Sequence, residues 1–159
     1  MKQILEILEK DARTTPQQIA TMTGIPVAEV KKAIKKAEED GTIVKYRTMI
    51  NWTKIGEEQV WALIEVKIQP QREVGFDAVS ERIYRFPEVR SAYLVSGTYD
   101  LAVLVVGKNM HEVSDFVAQK VAPLEGVQST VTHFMLKRFK EDGEILSAKA
   151  KSKRQPITL

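Results

Sequence analysis

The amino-acid sequence predicts an α+β fold in two parts, an N-terminal winged helix-turn-helix followed by a ferredoxin-like βαββαβ domain. Three observations predict it. Residues 16–37 (PQQIATMTGIPVAEVKKAIKKA) hold two runs of helical periodicity broken by a glycine. Residues 42–50 (TIVKYRTMI) are β-prone and carry Lys45 and Arg47. From residue 60 the apolar period drops to two, and strand and helix patterns then follow in the order β-α-β-β-α-β.

The first helix runs from about Lys2 to Asp11 and turns Ile4, Leu5 and Leu8 inward. Thr15 is placed as an N-cap with Pro16 at the first helical position, where its missing N–H does no harm. Ile19 and Ala20 form the inner face of the next helix. Gly24 stands where the chain must turn and where a side chain would obstruct the bend. Ile25 fills the corner, and Val27, Val30, Ile34 and Ala37 make the apolar stripe of the third helix. At 100° per residue the opposite side holds Ala28, Lys32, Lys35 and Lys36. A helix-turn-helix with a cationic second helix is a device for entering the major groove of DNA. Gly41 ends that helix, and the basic strand after it completes a wing whose cations touch phosphate. These readings put residues 1–50 in a DNA-binding domain and residues 51–58 (NWTKIGEE) in a hinge.

The second domain is expected over residues 59–139. Val60, Ala62, Ile64, Val66 and Ile68 alternate with Trp61, Leu63, Glu65, Lys67 and Gln69, a strand ended by Pro70. Phe76, Val79, Ile83 and Phe86 mark a helix. Val89–Ser96 and Leu101–Val106 are strands, the second continuously apolar and therefore central. Met110, Val113, Phe116, Val117 and Val121 mark another helix, and Val127–Phe139 the last strand. Two helices cover one sheet face, which leaves Trp61, Leu63 and Leu94 on a bare face. The expected cover is a second copy of the sheet, in a twofold homodimer. Such a dimer presents two recognition helices to a palindromic site on double-stranded DNA. Residues 140–159 read as a basic C-terminal tail without periodicity after Leu146, adding unspecific attraction to DNA.

Composition narrows the function classes. The chain has 159 residues, no cysteine and a net charge of +3. Disulfides and thiolate metal sites are excluded. The N-terminal stretch is amphipathic and acid-bearing rather than a signal peptide. No apolar run approaches the ~18 residues of a membrane span, so a cytoplasmic protein without membrane contact is expected. The total charge is too small to argue for DNA. The cluster Lys31, Lys32, Lys35 and Lys36, followed by Lys45 and Arg47, does so instead.

The layout resembles the Lrp/AsnC (feast/famine) transcription regulators. Ile4-Leu5 with Leu8, Ile19-Ala20 with Gly24-Ile25, Val30 with Ile34, and Glu38 with Gly41-Thr42-Ile43 are similar to that family's N-terminal motifs. Asn51 with Gly56 falls at its hinge, and Gly97-Thr98-Tyr99-Asp100 is similar to its turn between the second and third strands. One position and one motif depart from the pattern. Pro26 stands where the family has an N-cap serine, and its arginine-rich RI..LE is here Ala33-Ile34-Lys35-Lys36-Ala37-Glu38, with lysines as the only cations. The resemblance implies a small-molecule effector, an amino acid, bound near that turn by Ser96, Gly97, Thr98, Tyr99 and Asp100. Gln128, Thr130 and Thr132 would line the cleft from a neighbouring subunit. It also implies a homodimer able to assemble to an octamer.

Chemistry offers little competition. His111 and His133 lack the spacing of a metal site, no phosphate-binding glycine loop or serine triad is present, and no cofactor is called for. Asp77, Glu81 and Arg85 are surface ion pairs at helical offsets. Some proteins resembling the family decarboxylate a tetrapyrrole, and His111, His133 and Tyr93 would be the residues to do so here. The other alternative is an amino-acid-sensing module that does not bind DNA.

Overall fold

The computed structural model describes residues 1–69 and 75–146. The chain divides into two compact units, with the boundary between Ile50 and Asn51. Among the described residues no helix is long and apolar enough to cross a membrane.

The first unit contains α1 (Lys2–Lys10), α2 (Pro16–Thr23) and α3 (Val27–Glu39). Its core is Ile4, Leu8, Ile19 and Val30, with Ile7, Ala20, Ile25, Ala33, Ile34 and Ile43 packed around them. Ile7 rather than Leu5 completes the inner face of α1. Thr15 caps α2 through a reciprocal pair: Gln18 N–H donates to its Oγ1 at 3.3 Å, and Thr15 N–H donates to Gln18 Oε1 at 2.8 Å. Gly24 ends α2 at φ 72°, and a Cβ built there meets nothing within 4 Å. Backbone conformation, not obstruction, is what requires glycine at this corner. α3 begins at Pro26 without a side-chain cap.

The strand expected after α3 is not formed among the described residues. Thr42–Ile50 carries no strand among the described residues, and Val44 is 90% exposed. A ribbon needs an antiparallel partner, and the chain continues instead into a 3₁₀ turn at Trp52–Ile55, closed by Gly56 at φ 80°.

The second unit is built on a four-stranded antiparallel sheet, β1 (Val60–Ile68), β2 (Val89–Leu94), β3 (Leu101–Gly107) and β4 (Val127–Phe134), in the order β2-β3-β1-β4. The apolar β3 is interior, as continuous hydrophobicity demands. α4 (Asp77–Tyr84) and α5 (Met110–Phe116), the latter continued by a π-helical turn over Val117–Val121, cover one face. Ala62, Ile64, Val66, Ile68, Leu101, Val103 and Val105 from the sheet pack there against Val79, Ile83, Val113, Phe116 and Val121.

Register corrects the bare face in two respects. Leu94 lies opposite Leu101, so it belongs to the helix-covered face and is exposed only because it ends its strand. Trp61 is on the open face yet only 6% exposed. Residues after β4 cover it: the Arg138 guanidinium lies 4.0 Å from the Trp61 ring centre, and Met135 N–H donates to the Trp61 carbonyl at 2.8 Å. Arg138 is in turn paired with Glu141.

The last strand therefore stops at Phe134, and residues 140–146 are not tail. β5 (Lys140–Glu141) and β6 (Glu144–Ile145) form a hairpin around Asp142 and Gly143, both at positive φ. Asn51 Nδ2 donates to the Leu146 carbonyl at 3.1 Å and ties the start of the unit to the residue after the hairpin. The rest of the expected tail, 147–159, and Pro70 lie outside the described residues.

Candidate DNA interface and effector site

α3 presents its cations as a solvent-facing surface. Ala28, Lys31, Lys32, Lys35 and Lys36 are all exposed, while Val30 and Ala37 on the other side are fully buried. The periodicity that builds the core also sorts the lysines outward. Lys35 meets Glu39 at 3.7 Å in an exposed i,i+4 pair, too weak to withhold it from phosphate. Lys45 and Arg47 are exposed on the run after α3.

The acids at the end of α3 oppose its dipole, and each has a partner. Glu39 meets Lys35. Asp40 accepts from Thr42 Oγ1 at 2.6 Å and from Thr42 N–H at 3.0 Å, and these bonds hold its carboxyl below the usual range. Glu38 accepts from the Tyr46 hydroxyl at 2.9 Å.

The turn between β2 and β3 forms one end of the sheet. Ser96, Gly97 and Thr98 are exposed there, and Tyr99 is half-buried. Val95 N–H donates to the Asp100 carbonyl at 2.9 Å, and Asp100 N–H to the Val66 carbonyl at 3.1 Å. The Asp100 side chain is already engaged. Its Oδ2 accepts from Ile68 N–H at 2.8 Å and its Oδ1 meets Lys67 Nζ at 3.2 Å. The Ile68 bond, supported by Lys67, depresses its pKa despite partial desolvation. An effector ammonium at Asp100 must share it with Lys67.

Strand register brings Gln128 and Thr130 to the same end and leaves Thr132 nearer the middle of the sheet. Leu101, Val66 and Thr130 form one row across β3, β1 and β4. Gln128 sits at the β4 irregularity below that row, and Thr132 lies opposite Ile64. A cleft of about 420 Å³ opens elsewhere, beside α5, and none of the expected effector residues lines it. Two pairs line it: Lys120 meets Glu88 at 2.5 Å, and His111 lies 3.4 Å from Asp115.

The residues of the tetrapyrrole reading are not gathered. His111 sits on α5 in the helix layer. His133 lies on the open sheet face 3.2 Å from Glu65, and Tyr93 is on β2. Arg138 and Lys67 are the structural partners the sequence reading missed. Asp142-Gly143 is a hairpin signal that announces the fold-back carrying Arg138. Nothing local announces the Lys67–Asp100 pair.

Comparison with known proteins bears on both units. Residues 1–44 match the winged helix-turn-helix DNA-binding family, and residues 61–145 match the Lrp/AsnC ligand binding domain. The chain is 50% identical over 153 residues to the uncharacterised HTH-type transcriptional regulator YugG of Bacillus subtilis, covering 96% of this chain and 92% of that protein. It is 31% identical over 144 residues to the HTH-type transcriptional regulator FL11 of Pyrococcus furiosus, covering 91% and 92%. Among solved structures, the feast or famine regulatory protein of M. tuberculosis complexed with L-methionine has a TM-score of 0.73 at 23% identity, covering 92% and 96%. A Neisseria meningitidis transcriptional regulator in complex with L-methionine has a TM-score of 0.71 at 22% identity, covering 87% and 89%. These two likenesses are of fold.

Proposed function

The chain belongs to the Lrp/AsnC family of DNA-binding transcription regulators, not to a family of enzymes, and from that premise we propose a cytoplasmic twofold homodimer that reads a palindromic operator and responds to an amino acid. The exposed lysine face of α3 carries the DNA reading. Ala28, Lys31, Lys32, Lys35 and Lys36 meet the groove and its phosphates, and Lys45 and Arg47 hold the flanking backbone. Lysines are compact charges rather than guanine-matching forks, so phosphate attraction supplies most of the affinity.

The dimer reading is supported by the open face of the sheet. Leu63 and Leu104 lie there half-covered, and Tyr93 and Val131 are 60% and 50% exposed. A second copy of that face is the self-complementary cover a twofold contact provides. Assembly beyond the dimer, up to an octamer, belongs to the same proposal. The effector reading assigns Ser96–Asp100 to one wall and Gln128, Thr130 and Thr132 to the other. It draws on the exposed turn and on the two structural relatives complexed with L-methionine.

The test is a gel shift on the promoter beside the protein's own gene, across a salt series. Log affinity is expected to fall with log salt at about −0.9 per phosphate neutralised. Joint Lys32→Ala and Lys35→Ala replacement reduces both affinity and slope. Unchanged binding in that variant rules out the lysine-face docking.

A further inference from the structure

The run carrying Lys45 and Arg47 has no strand ladder to hold it, yet it follows directly on α3. Its tethers can be followed residue by residue. Thr42 bonds to Asp40, and Ile43 N–H donates to the Ala37 carbonyl at 2.8 Å. Beyond Ile43, the Tyr46 hydroxyl on Glu38 is the one hydrogen bond made by residues 44–50 among the described residues. Tyr46 stands between the two cations.

Glu38 is otherwise in the wrong place. It lies in the last turn of α3, where the helix dipole disfavours an acid, and on the helix whose lysines are to meet phosphate. A residue that breaks two local rules at once calls for a compensating gain. A carboxylate accepting from a phenol makes a charge-assisted bond, stronger than a neutral one. A phenol is protonated and so a donor at neutral pH, and partial desolvation with the bond and charge of Glu38 pushes the Tyr46 pKa further up.

We infer that Tyr46 and Glu38 are positioning residues for DNA binding, a side-chain anchor that takes the place of a β-ladder and sets Lys45 and Arg47 beside the lysine face of α3. The inference rests on the docking proposed above. Neither residue need touch DNA; each acts through the cations that the anchor holds.

The test uses the full chain and a duplex recovered by selection from a random-sequence pool, with affinity followed across a salt series and helix content checked by circular dichroism. Tyr46→Phe keeps the ring and removes the donor. It is expected to weaken binding several-fold and to shrink the log–log slope by up to about 0.9 for each cation withdrawn. Glu38→Ala gives the same loss, the double variant is no worse than either single one, and Glu38→Gln, which keeps an acceptor, binds at least as well as the parent. Taking an acid off a DNA-facing helix should by itself tighten binding, so a tighter Glu38→Ala overturns the anchor. A Tyr46→Phe protein with the parental slope does the same. If Lys32→Ala with Lys35→Ala loses affinity while Tyr46→Phe keeps its slope, only the anchor fails. If both leave binding intact, the docking itself fails.

Discussion

Gly24 and Gly126 both occupy positive φ, at 72° and 92°, but they answer to different constraints. Around Gly24 there is room for a methyl group, so Gly24→Ala meets backbone strain alone, about 1–2 kcal/mol. At Gly126 a Cβ would stand 2.8 Å from Val79 Cγ2. Gly126→Ala is therefore expected to lose about 1–3 kcal/mol more, from overpacking. Urea denaturation compares the two, and equal losses would show that Val79 yields freely. Asp100 gives a prediction with a sign. Its carboxyl titrates below its ordinary range in the folded chain, so its contribution is present above the unfolded value and lost as pH falls through the folded one. Asp100→Asn is expected to melt below the parent at neutral pH, with the gap closing in acid. A gap independent of pH points to the shape of the turn rather than the charge.

Elements were legible wherever their pattern was local. The periods of 3.6 and 2, Thr15 before Pro16, and the central apolar β3 are each written in a few consecutive residues. The strand expected over residues 42–50 is absent because β-propensity describes a strand's suitability and not the presence of a partner for it. The hairpin at 140–146 was overlooked although its Asp-Gly signal is explicit. Its cover over Trp61 had no local signal, since Arg138 and Trp61 meet only after the sheet has formed. Arg138→Ala is expected to open Trp61 to solvent, shifting part of the tryptophan emission to the red and increasing its quenching by iodide. Spectra that match the parent's would mean that the hairpin shields the ring without its guanidinium. Thr15→Ala should cost about 1 kcal/mol through loss of the reciprocal cap, read as a lowered urea midpoint.

At the scale of the whole molecule, the open sheet face is where stability and assembly meet. Val131 is half-exposed on edge strand β4, opposite Glu65, so an acid there costs less in the single chain, where water reaches it, than beneath a second copy of the face. Val131→Asp is expected to fold, to sediment as a smaller species than the parent, and to bind operator DNA more weakly, because paired half-sites need paired recognition helices. A variant that sediments with the parent removes this face from the proposed dimer. The amino-acid sequence by itself determined the order and type of the main elements, the two-part organisation and the outward lysine face, because helical and strand periods sort side chains before any tertiary contact exists. Tertiary structure alone decided which apolar residues of the sheet stay uncovered, that Lys67 occupies Asp100, and that Thr130 and the β2–β3 turn share one end. Those facts depend on register and on residues distant in the chain, and a one-residue change in register would exchange the covered and uncovered residues of the shifted strand.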